Sequence, residues 1–155
     1  MSKTLLAIDP GTHCGWCLSV ENMHPMSGVW NLKGGRHEGG GMRYVHLLRY
    51  LNELEDHTGL IEIVVYEEVR GHKGADAAQI YGGIIATLTA WCEQSNIPYE
   101  GIPVGTIKKF ATGKGNASKK MMVEAAQAKW PDANITDDNE GDARWLWAYA
   151  ETQHG

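Results

Sequence analysis

The sequence predicts an α/β fold built on a mixed five-stranded sheet with helices on both faces, and three observations carry that prediction. Three short apolar runs near the start are separated by turn residues and lack helical spacing. A strongly apolar, β-branched run at residues 61–66 has the composition of a buried strand. From residue 75 onward, apolar residues recur mainly at helical spacing, with one short strand-like run between the helices. Antiparallel strands first and crossover connections later define a mixed sheet covered by helices.

Taken in order, Leu5 to Asp9 is the first strand, and Pro10-Gly11 turns the chain into a second strand at residues 14–20. Residues 27–32 form a third, followed by a glycine-rich connection at residues 34–41. Met42, Val45, Leu48 and Leu51 then recur at helical spacing and predict a helix over residues 42–57, closed by Gly59. The fourth strand, at residues 61–66, delivers Glu67 and Glu68 at its end. A long helix is predicted over residues 75–94, in which Gly82-Gly83 marks a close helix crossing or a break. Residues 98–102 make a short fifth strand. A lysine-rich stretch and a glycine-containing loop at residues 112–116 lead to a helix over residues 117–130, stopped by Pro131, and a last helix covers residues 139–151.

The 155 residues are enough for one domain, spanning residues 1–155, to bury a core without disulfides. Three cysteines cannot all pair within one chain, and the start leads into a short strand instead of a signal peptide's apolar region, so a reduced, cytoplasmic protein is expected. No apolar segment reaches 18 residues, which argues against a membrane span. The net charge of −5 argues against a nonspecific nucleic-acid coat, but the charge is patterned: residues 108–120 carry five lysines and no acid, whereas residues 132–142 carry five acids and no base.

Acids at element ends carry the functional reading. Asp9 closes the first strand, Glu67 and Glu68 close the fourth, and Asp142 lies in the first turn of the last helix. Brought together, three such carboxylates are what two divalent metals about 3.5–4 Å apart require for phosphodiester cleavage. Hard oxygen ligands favour Mg²⁺, with Mn²⁺ as a replacement. Glu67 and Glu68 are adjacent and, in an extended chain, point to opposite faces, so the residues alone do not choose between them. Cys14 and Cys17 likewise fall on opposite sides of their strand, and with no second ligand pair a structural zinc site is not expected.

The motif Ile8-Asp9-Pro10-Gly11-Thr12 with Gly15, the run Tyr66-Glu67-Glu68-Val69, the basic segment from Ile107-Lys108 to Lys119-Lys120, and Asp142-Ala143 occur in an order and spacing that resemble the RuvC-type Holliday junction resolvases, a family that includes phage-encoded members. The resemblance implies a ribonuclease-H-like fold, a homodimer, metal-dependent cleavage of four-way DNA junctions and, for this chain, a phage source acting in the host cytoplasm. It selects Glu67 over Glu68, makes Asp9, Glu67 and Asp142 metal ligands, and makes Lys108 and Lys119 phosphate-binding or active-site lysines. Two departures stand out. The family places Asp or His three residues before the last acid, where this chain has Asn139, so Asn139 is a weaker ligand or Asp138 serves in reserve; Glu140 would point away from the face shared by Asn139 and Asp142. Arg70 stands where some relatives carry an apolar wedge.

For DNA contact outside the acid site, Lys109, Lys114 and Lys120 flank a loop whose glycines let a backbone approach, and Arg36, Arg70 and Lys73 lie on two connections able to grip the arms of branched DNA. His13, His37 and His72 are further candidates. The tryptophans read as core or dimer packing, and the helix around residues 75–91 is the candidate dimer surface. Two other readings of the same residues are a broader branched or flap endonuclease and a junction-binding protein without hydrolysis. The glycine turn after Asp9 also resembles the phosphate loop of actin-like kinases, but 155 residues leave no room for their second lobe.

Overall fold

The computed structural model describes residues 3–20 and 23–154. Its elements are β1 (Leu5–Asp9), β2 (His13–Ser19), β3 (Met26–Asn31), α1 (Met42–Thr58), β4 (Ile63–Glu68), α2 (Ala75–Gln94), β5 (Tyr99–Pro103), α3 (Val104–Thr112), α4 (Lys119–Lys129) and α5 (Asp138–His154), with one 3₁₀ turn at Pro131–Ala133. The five strands form one sheet in the order β3-β2-β1-β4-β5. β1, β2 and β3 are joined antiparallel, whereas β4 runs parallel to both β1 and β5. No helix among the described residues is long and apolar enough to cross a membrane.

Alternation along the central strands divides the interior into two cores. Leu5 and Ala7 of β1, Ile63 and Val65 of β4, and Cys17 of β2 face α3, α4 and α5. Leu6 and Ile8, Val64, and Cys14 and Leu18 face α1 and α2. A period-two backbone buried on both sides has this effect, and it explains why these strands are almost continuously apolar in sequence. The three cysteines described are buried and free.

The structure corrects several boundaries. β4 begins at Ile63, because the N–H groups of Glu62 and Ile63 both turn to the Thr4 carbonyl, and it runs on through Glu67 and Glu68, which pair with Ile102 and Pro103 of β5. The two acids are thus inside the strand. α3 is an additional helix where the sequence predicted only a lysine-rich stretch. It starts directly after Pro103, and its first residues, Val104, Gly105 and Thr106, are poor helix formers. Ile107 anchors it in the core, and Gly113 ends it in the left-handed conformation at φ 83°. α4 starts at Lys119, two residues after the expected start, because the Ser118 hydroxyl accepts the Met121 N–H as an N-cap.

Two glycines allow close packing. α2 is unbroken, and its Gly83 lies against the Tyr44 ring of α1, so that a Cβ there would collide with the phenol. Gly15 of β2 faces the Asn139 backbone carbonyl at the start of α5, leaving no room for a side chain. α5 can therefore lie directly on β1 and β2, with further contacts to β3 and β4.

Candidate metal centre

Strand phase places the acids. Asp9 continues the series Leu5, Ala7, and Glu67 continues Ile63, Val65, so both carboxylates emerge on the face covered by α5. Glu68 takes the opposite direction and pairs with Arg70 at 3.1 Å. α5 begins over this end of the sheet. Asp137 caps it, its side-chain oxygen accepting the N–H groups of Asn139 (2.7 Å) and Glu140 (3.3 Å), and Asp142 follows one turn later. One carboxylate oxygen from each of Asp9, Glu67 and Asp142 lies within 4.8 Å of the other two.

Burial dominates the electrostatics of this cluster. Burial, reinforced by the charges of Glu67 and Asp142, raises the Asp9 carboxyl well above the usual carboxylate range. Burial also raises Glu67, although its hydrogen bond with Asp9 and the nearby Lys108 ammonium act the other way. Asp142 is pushed up to about 7 by burial and then by the charges of Glu67 and Asp138, with Lys108 and Lys119 opposing. Burial and proximity thus favour the protonated forms of these acids, and a bound cation would favour the ionised ones. The donor set consists of carboxylate oxygens alone, which suits a hard divalent ion of the Mg²⁺, Mn²⁺ or Ca²⁺ type.

Lys108, on the inner side of α3, lines a small recess with Glu67 and Asp142. Lys119, the first residue of α4, lies 3.7 Å from the carboxylate of Asp138. Asp138 is therefore held by a lysine at the rim, outside the group of three. Glu140 turns to β3, where it accepts the Ser27 hydroxyl (2.5 Å), and that hydroxyl in turn accepts the Arg144 Nε–H (2.7 Å). Asn139 is placed by its backbone, packed over Gly15.

The remaining predicted basic residues are all exposed, in three groups. Lys109, Lys114 and Lys120 surround the turn between α3 and α4, with Lys120 also 3.8 Å from Glu124. Arg70 and Lys73 lie in the β4–α2 connection, and Arg36 lies in the β3–α1 connection. Tyr81 lies on α2 and is half-buried. Its hydroxyl donates to the Glu67 carbonyl (3.0 Å) and accepts the Val69 N–H (3.0 Å), and His72 packs on its ring at 4.7 Å. A tyrosine at helical spacing gives no sequence signal for such a bond.

A sheet of this order, with acids from its first and fourth strands and from the helix laid across them, defines a ribonuclease-H-like protein. The whole chain compares accordingly. Crossover junction endodeoxyribonucleases RuvC from Chlamydia trachomatis serovars L2 and A are each 30% identical over 147 residues, covering 90% of this chain and 85% of theirs. The chain belongs to the RuvC family. Thermus thermophilus RuvC in complex with a Holliday junction substrate superposes with a TM-score of 0.76 at 18% identity over 98% of this chain and 97% of that one. The Thermus thermophilus RuvC structure gives 0.73 at 18% identity, with 97% of each chain covered. The yeast mitochondrial Holliday junction resolvase gives 0.60 at 15% identity, over 98% of this chain and 82% of its own. No protein-family model matches the chain.

Proposed function

We propose that this chain is a divalent-metal-dependent endonuclease of one ribonuclease-H-like domain that resolves four-way DNA junctions as a homodimer. The observation that carries the reading is the convergence of Asp9, Glu67 and Asp142, from three distant parts of the chain, into one cluster of oxygen ligands beside Lys108. Family membership and the fold shared with RuvC in its junction complex support the substrate.

Asp9, Glu67 and Asp142 would hold Mg²⁺, or Mn²⁺ in its place, two ions per site. Bound there, the ions supply a polarised phosphate and an activated water for in-line phosphodiester hydrolysis. Asn139 would add a weaker ligand, or Asp138, beside Lys119, would serve in reserve. The chain's own contribution is to fix the three carboxylates on one face and to offset charge with Lys108. Lys119, at the N-terminus of α4, where helix N–H groups favour anions, holds the phosphate. Arg36, Arg70, Lys73, Lys109, Lys114 and Lys120 guide the junction arms through backbone contacts.

The dimer reading rests on α2. No charged residue occurs between Asp76 and Glu93, yet Ala78, Gly82, Ala86 and Ala90 lie exposed one turn apart. An exposed helix face without charge over four turns suits a second copy better than water. A two-fold enzyme also matches a two-fold junction. A phage source and a host-cytoplasm setting belong to the same proposal.

The test is cleavage of a labelled synthetic four-way junction with and without Mg²⁺, beside duplex and flap controls and the Asp9→Asn variant. Paired symmetric nicks that vanish in the variant while binding persists are expected. Preferential flap cutting would retain the metal site and change the substrate. Junction binding without cleavage in either metal would overturn the enzymatic reading.

A further inference from the structure

The β1–β4 ladder stops one rung short of the acid site, and a side chain from α2 occupies the missing rung. In a parallel pair, alternate residues of one strand each bond to the C=O and N–H flanking their partner on the other. The register Leu6↔Val64 and Ile8↔Tyr66, with the Ile63 N–H on the Thr4 carbonyl, assigns that role to the even-numbered residues of β1. The next in the series is Pro10, which would face the Glu67 carbonyl and the Val69 N–H. Proline has no N–H to give, and the chain turns away there. The Tyr81 hydroxyl meets the same two groups, donating to Glu67 and accepting from Val69, each at 3.0 Å.

We propose that Tyr81 is a positioning residue for the metal site: its hydroxyl replaces the absent Pro10 peptide and fixes the backbone on both sides of Glu68, and so the direction in which the Glu67 carboxylate leaves the strand. Glu67 needs such a hold. β1 ends beside it, and the residues that follow form a connection with no regular structure up to Ala75. On its other edge it is paired only with Ile102, in the last rungs of β5. Tyr81 itself is well anchored, since α2 is locked to α1 where Gly83 meets Tyr44 and to the sheet through Ile84 and Leu88. A phenol hydroxyl both donates and accepts, so one group serves both backbone partners. The inference rests on the metal reading of the acid cluster.

Tyr81→Phe keeps the ring and removes only the bridging oxygen. Two measurements on the full-length protein test it, with a thermal melt confirming that the variant folds. Exchange of the Val69 amide should become several-fold faster, as expected for loss of one partly buried hydrogen bond, while Val64 and Val65 amides stay protected. Mn²⁺ affinity, followed by electron paramagnetic resonance, should weaken on the order of 10-fold, the scale seen when groups behind a metal ligand are removed. Faster exchange with unchanged Mn²⁺ affinity would overturn the positioning role and leave an ordinary structural bond. Weaker Mn²⁺ binding with Val69 still protected would overturn the backbone route. If the unaltered protein binds no Mn²⁺, or binds it equally well as Asp9→Asn, the metal reading fails and the inference with it. Wild-type binding that Tyr81→Phe retains in full rejects Tyr81 alone.

Discussion

Asp142 sits at the balance point of the site. In the folded, metal-free chain its carboxyl is raised to about 7, mainly by burial, and Asp9 and Glu67 are raised with it. Folded acids that hold protons more tightly than unfolded ones lend stability below the unfolded pKa near 4, and that stability is lost as pH rises through the folded value. The metal-free protein should therefore melt at a lower temperature at pH 8 than at pH 5, and Mg²⁺ should restore the difference at pH 8. Asp142→Asn, which cannot ionise, should raise the metal-free melting temperature at pH 8 by roughly 3–10 °C and abolish cleavage. Metal binding has the opposite pH sign, because the ion displaces the protons: cleavage at fixed, subsaturating Mg²⁺ should rise from pH 6 to pH 8. Lys108→Met removes a cation that favours the ionised forms of Glu67 and Asp142, so it should move that rise to higher pH as well as slow cleavage. The choice between Glu67 and Glu68 was not legible from residue types, because the strand before them is apolar at every position and conceals its own phase. Only the register with β1 shows that Glu67 shares a face with Asp9.

Among the elements, those with long, regular patterns were legible and those defined by context were not. α2 was predicted with its observed limits, and of the crossing or break its paired glycines left open, the structure has a crossing, made by Gly83 alone. α3 was missed because nine residues that begin with β-branched and glycine residues carry little propensity, and its formation depends on Ile107 reaching the core. The cost was functional, since α3 is the element that aims Lys108. Asp137 was counted among the acids of a charged stretch, and its use as the cap of α5 depends on where that helix starts. At the contact of β2 with α5, Gly15→Ala should force the Asn139 carbonyl away from the sheet. The expected loss is about 1–3 kcal/mol of stability. Cleavage should fall further than the melting temperature alone explains, because Asp142 rides on the same helix turn; denaturation and junction assays on one sample compare the two.

At the scale of the whole molecule, the mixed sheet with helices on both faces followed from the order of strand-like and helical runs, and the observed strand order agrees with it. The proposed dimer surface was less legible, since an apolar helix reads alike whether it faces a core or a partner. The uncharged outer stripe of α2 makes it testable: Ala86→Arg should convert a dimer to a monomer in sedimentation, with paired junction nicks becoming single and uncoupled. The long reach of α5 has a different consequence. Its contacts run to β1, β2, β3 and β4, so the position of Asp142 depends on a sheet built from much earlier residues. A chain with α5 undocked would keep Asp9 and Glu67 on the sheet without Asp142 to complete the set. On the proposed assignment, metal affinity would therefore report the docking of α5 on the sheet.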